Sequence, residues 1–335
     1  MARFTTNYSI PNSEPDGSYF LANPNNHLAQ VGNDIWFFGE IFRYGNFETF
    51  LWIFDTESEK VEKVDNNRPV RDKIRIENVQ YHDNLIFVWF GGITLDRHYL
   101  YTLDTKTMTW ERILTIKCSA IHQSTPIIKD QMFVMDDSGD KVEIITINLS
   151  ERKIVSRVFL DINSNDWYLS MTACKYQLYL IGTIEDRQVV WKVDGNDVTV
   201  MNSKEYNKVG EEMEIKNGGT SYSYLSMSPE NMQIHQFDFN LQARSKIIID
   251  ESNKKEMRGI VQIETTLYCI MGWPMKPSDE VRILELKPKL ADICLLDLID
   301  QLVISKDNDK MGNRLPMELR KKIDNMIDWR GEECQ

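Results

Sequence analysis

Six times along this chain an apolar stretch ends in a small polar or acidic residue: Asp55, Asp104, Asn148, Asp194, Asp238 and Glu285. The intervals are 49, 44, 46, 44 and 47 residues, so one unit recurs along most of the length. Upstream of each mark lies a second apolar stretch: Ile35–Phe38, Leu85–Phe90, Met132–Met135, Leu178–Ile181, Tyr222–Leu225 and Leu267–Met271. These stretches are rich in the β-branched and aromatic side chains that suit strands. Turn residues such as Gly32-Asn33-Asp34, His82-Asp83-Asn84 and Lys129-Asp130 precede several of them. After the marks comes a turn and a further strand, at Val61–Val64, Trp110–Leu114, Ile154–Val158, Val198–Val200 and Ile247–Ile249.

Short strands at this period make small sheets that cannot cover their own apolar faces, so the units must stack on one another. The expected architecture is all-β, a six-bladed β-propeller over residues 1–287. The sixth unit is a strand short, because Val281–Leu286 runs on past the end of the pattern. Arg3–Tyr8 reads as a strand with no partner nearby, and the economical expectation is that it completes the last blade. Closure of that kind removes two exposed sheet edges. A pair of β-sandwiches is the alternative.

The net charge of −12 argues against nucleic-acid backbones or anionic membranes as partners. There is no run of about 18 apolar residues, and the first residues lack the apolar core of a signal peptide. Five cysteines, odd in number and without a C-x-x-C pair, fit a reducing cytosol or nucleus better than a disulfide framework or a zinc site. The histidines His27, His82, His98, His122 and His235 are scattered and form no H-x-x-x-H pair, so they read as ordinary polar residues. No nucleophile elbow or phosphate loop is present, and Asp136-Asp137 reads as a solvated turn. The expectation is a chain without catalysis, cofactor or metal, which binds through an end of the propeller. Trp36, Arg43, Trp89, Arg97, His98, Trp167 and Trp273 lie near blade turns and are of types found at interfaces, although tryptophans that simply pack between blades are the better expectation.

The second unit, with paired Gly91-Gly92, then Tyr99–Asp104, then Trp110, resembles a kelch repeat. Trp36 to Asp55 is similar, with Gly39-Glu40 in place of the glycine pair, and the fourth and sixth units have Gly182-Thr183 and Gly272-Trp273. The third and fifth units depart further. The marks of WD repeats are absent. The resemblance implies a kelch-like propeller that serves as a protein-binding platform.

Residues 288–335 carry two apolar motifs in a fixed order, each reading as one face of a short helix. The first places Leu290, Cys294 and Leu298 four apart, with Pro288 just upstream. It resembles a BC box, the helix that binds elongin C. The second, Leu315, Pro316, Leu319 and Ile323, resembles the cullin box of SOCS-box and von Hippel–Lindau-type receptors. Glu318 stands where the cullin-5 form prefers a second proline, so the fit is to cullin-2. A bare match to the first motif arises by chance in about one chain of this length in five; the ordered pair near the end arises in on the order of one in a thousand. The resemblance implies a substrate-recognition subunit of an elongin B/C–cullin-RING ubiquitin ligase. In that role the propeller holds a protein target while the tail recruits elongin B/C and cullin-2. The alternative is a kelch interaction scaffold, cytoskeletal or signalling, whose helical tail packs on itself.

Overall fold

The computed structural model describes residues 6–9, 27–43, 46–64, 69, 74–92, 97–118, 121, 124–136, 141–163, 169–174, 176–184, 187–195, 197–205, 211–216, 222–227, 232–238, 243–249, 257–263, 266–273 and 276–285. The chain divides into two compact units, and the elements described below belong to the first, residues 1–263 with 267–284, apart from the end residues Thr266 and Glu285 of the last two strands. The second, residues 264–266 with 285–335, contains the whole expected helical tail, which lies outside the described residues.

Strand β1 (Thr6–Ser9) is followed by a first sheet of β2 (Leu28–Val31), β3 (Asp34–Arg43), β4 (Asn46–Asp55) and β5 (Lys60–Val64). The second sheet is β6 (Ile74–His82), β7 (Leu85–Gly92), β8 (Arg97–Asp104) and β9 (Trp110–Lys117). The third is β10 (Ile127–Ile128), β11 (Gln131–Asp136), β12 (Lys141–Asn148) and β13 (Lys153–Asn163). The fourth is β14 (Ser170–Cys174), β15 (Gln177–Ile184), β16 (Arg187–Asp194) and β17 (Asp197–Glu205). Two further sets follow, β18 (Glu211–Lys216), β19 (Tyr222–Met227), β20 (Met232–Asp238) and β21 (Ala243–Ile249), then β22 (Met257–Ile263), β23 (Thr266–Trp273) and β24 (Lys276–Glu285). Each set is an antiparallel meander, consistent with a β-propeller, and there is almost no helix among the described residues.

The last two sets and β1 form one eight-stranded sheet, because β18 and β22 pair in parallel through Ile215 with Ile260 and Lys216 with Val261. At its far end β1 pairs antiparallel with β24, setting Thr6 opposite Ile283 and Tyr8 opposite Val281. The first strands converge: β2 lies against β6, β18 and β22.

Alternation along the second and third strands explains the unbroken apolar runs. On β7, Ile86, Val88 and Phe90 pack against Trp36, Phe38 and Leu51 of the first sheet. The intervening Phe87 and Trp89 pack against Met132, Val134 and Ile145 of the third. Successive side chains leave opposite faces of a strand, so a strand with both faces covered must be apolar throughout. Each such side chain contributes roughly 1.5–3 kcal/mol by leaving water. The first sheet meets β22 and β23 in the same way, with Phe54 and Tyr268 ring centroids 5.7 Å apart.

Three of the recurring polar marks, Asp55, Asp104 and Asn148, are turn caps. Asp55 Oδ1 accepts the backbone N–H groups of Glu57 at 2.8 Å and Ser58 at 3.1 Å. Asp104 does the same for Lys106 and Thr107, and Asn148 accepts from Glu151. Four residues after each of these marks, Glu59, Met108 and Arg152 take left-handed φ values of 54–56°. A side-chain oxygen that satisfies two turn donors is why Asp or Asn recurs there.

Three of the outer strands carry a β-bulge. Ile113 on β9, Val155 on β13 and Met201 on β17 are each the extra residue at a register shift against the neighbouring strand.

Candidate functional site

The residues expected to bind elongin and cullin, Leu290, Cys294, Leu298, Leu315, Pro316, Leu319 and Ile323, lie outside the described residues, as does Trp167. Of the others proposed for a binding surface, Trp36 and Trp89 are buried between sheets. Arg43 and Trp273 end β3 and β23, and Arg97 is exposed at the start of β8.

His98 corrects the expectation of an ordinary polar residue, because it is buried with both ring nitrogens engaged. Its Nδ1 meets Glu77 Oε2 at 2.6 Å, and its Nε2–H donates to the Cys118 carbonyl at 3.0 Å. Glu77 is the extra residue of a bulge in β6, between Ile76 and Asn78. Its carboxylate occupies the space that a side chain on Gly91 would fill, and Gly91 pairs directly with His98. The first glycine of the pair at 91 and 92 is therefore needed for room rather than for a turn. Asp136 and Glu143 stand opposite each other on the third sheet, both buried, and Arg157 Nη1 donates to Glu143 at 2.8 Å. Asp136 is thus no solvated turn residue. Burial, then the carboxylates of Asp136 and Glu77, push the Cys118 thiol up, so this sulfur is no nucleophile. Among the described residues no three His, Cys, Asp or Glu side chains stand together so as to hold a metal.

His27, just before β2, is also buried rather than solvated, and its Nε2–H donates to the Ile76 carbonyl at 2.9 Å. Asn78 on the same strand accepts from Thr125 Oγ1 at 2.8 Å. These bonds tie the first sheet to the second, and the second to the third.

The opposite, turn-bearing end of the second and third sheets is open. A groove of about 390 Å³ runs there between them, with Leu85, Phe87, Ile113 and Leu149 as its floor. Its rim carries Asp83, Asp104, Glu111 and Asp130. Arg152 Nη2 donates to Glu111 Oε2 at 2.9 Å, and Nη1 donates to Oε1 of the same carboxylate. This fork holds the guanidinium above its ordinary pKa. Asp104 is held below the usual carboxylate range, chiefly by the N–H groups of Thr107 and Lys106. Asp130 accepts from the hydroxyl and backbone of Ser150. A second groove of about 770 Å³ lies between the third and fourth sheets, with Tyr176 at its edge, 76% exposed.

No protein-family model and no curated protein matches the chain. Solved structures do resemble it. An auxiliary nutrient binding protein from Bacteroides thetaiotaomicron shares 13% identity at a TM-score of 0.50, over 83% of this chain and 76% of that one. The β-propeller domain of the Trilobed protease from Pyrococcus furiosus shares 9% at a TM-score of 0.46, over 76% and 79%. An acylaminoacyl peptidase shares 10% at a TM-score of 0.48, over 76% of this chain but 43% of that one. Peptidases thus stand among the neighbours, and likeness at this identity speaks to the fold alone.

Proposed function

We propose that the chain is a non-catalytic substrate receptor of an elongin B/C–cullin-RING ubiquitin ligase. In this reading residues 1–287 are a six-bladed kelch-like propeller, closed by β1 as the fourth strand beside β24, which holds a protein target. Residues 288–335 bind elongin C through Leu290, Cys294 and Leu298, and cullin-2 through Leu315, Pro316, Leu319 and Ile323. The observation that carries the reading is the ordered pair of motifs, which begins five residues after Glu285, where the last described strand ends. Burial of Leu290, Leu298, Leu315 and Ile323 against these partners would contribute roughly 1.5–3 kcal/mol each, enough to anchor a stable complex. The receptor would act by proximity, holding a target lysine beside the charged conjugating enzyme and doing no chemistry itself.

The test is co-purification with elongins B and C. Leu290→Ser combined with Cys294→Phe removes the capture while the melting temperature of the propeller stays unchanged. Capture at the wild-type level by that double variant overturns the reading and leaves the self-packed scaffold in its place.

A further inference from the structure

We propose that the groove between the second and third sheets is the seat of an arginine-bearing, basic segment of the protein target. The inference rests on the propeller being the target-holding part of the chain, and it names the chemistry that this part selects.

Two features of the groove act together. Leu85, Phe87, Ile113 and Leu149 give it an apolar floor, of which the half-buried Leu85 and Ile113 face the opening while Phe87 and Leu149 back them from the core. Above that floor stand four carboxylates and a single guanidinium, a formal rim charge of −3. A side chain with a long aliphatic stem and a cationic head satisfies both levels at once, the stem on the floor and the head at the rim. Arginine fits better than lysine because its planar fork takes a carboxylate with two parallel bonds. The chain already displays that pairing here, since Arg152 forks onto Glu111 and bridges the two sheets at the groove mouth. Both partners are about half exposed, at 48% and 55%, so an incoming guanidinium can exchange with Arg152. A volume of about 390 Å³ lies within the roughly 300–1,000 Å³ of small binding pockets, and admits one or two side chains. The net charge of −12 steers a basic partner towards the molecule from a distance.

The test uses the full chain and a fluorescein-labelled hexapeptide that alternates arginine with leucine, followed by fluorescence anisotropy at low and at physiological salt. The counterpart with glutamate for arginine serves as the control. The wild-type chain binds the arginine probe, ignores the glutamate probe, and releases the first as salt rises. Asp83→Asn with Glu111→Gln takes the rim from −3 to −1. This change weakens binding by about tenfold, a loss expected when two rim charges are removed. Glu62→Gln with Asp197→Asn makes the same change in net charge on the exposed first and fourth sheets, and leaves binding within about twofold. Absence of binding by the wild type at low salt overturns the proposal, as does an equal loss in both double variants. Elongin capture is measured on the same protein through Leu290 and Cys294, so either proposal can fail while the other stands.

Discussion

Burial takes the His27 imidazole from an ordinary pKa of 6.5 to about 4, against the hydrogen bond that its ring donates to Ile76. The unfolded chain binds this proton first, so between pH 6.5 and about 4 it holds more protons than the folded one. Stability is complete above that window and falls as pH drops through it, by on the order of 3 kcal/mol for the whole shift. Thermal unfolding of His27→Gln, which keeps a donor for Ile76, should show a flatter pH dependence across this window than the wild type. A second acid step belongs to Asp55 and Asp104. Both carboxyls sit below their ordinary pKa of 3.8, Asp55 chiefly through the N–H of Ser58 and Asp104 through that of Thr107. Their contribution is intact above pH 3.8 and is lost as pH falls through the depressed values.

Among the elements, the capped turns at Asp55, Asp104 and Asn148 decide how the third strand hands over to the fourth in the first three sheets. Asp104→Ala leaves two turn donors without an acceptor and should lower the melting temperature, while Asp104→Asn keeps an oxygen at the same place and should restore most of it. Equal losses in the two variants would mean that charge, not the Oδ1 acceptor, holds the turn. These marks were legible in the sequence because one residue type must recur wherever one turn recurs. All six end a strand: Asp55, Asp104, Asn148, Asp194, Asp238 and Glu285 close β4, β8, β12, β16, β20 and β24. The first strands were harder to see. β10 has two residues, and β6 interrupts its apolar pattern with Glu77 and Asn78, whose partners are His98 on β8 and Thr125 just before β10. A bulge leaves no signature in a single sequence, so the burial of Glu77 and His98 was not legible either. The acid-rimmed groove escaped for another reason: its carboxylates come from positions 83, 104, 111 and 130, which only stacking of the sheets brings together.

For the molecule as a whole, the pairing of β1 with β24 joins residues near the two ends of the described fold. Deleting residues 1–9 bares the edge of β24, and the expected result is a lower melting temperature with concentration-dependent aggregation, measured by scanning calorimetry and light scattering. An unchanged transition would show that β24 needs no partner there. Elsewhere the perimeter is guarded differently. The bulges at Ile113, Val155 and Met201 interrupt the ladder of three outer strands, β9, β13 and β17, where a flat edge would invite another chain. A second copy that approaches any of these three rims therefore meets a kinked ladder rather than a flat one.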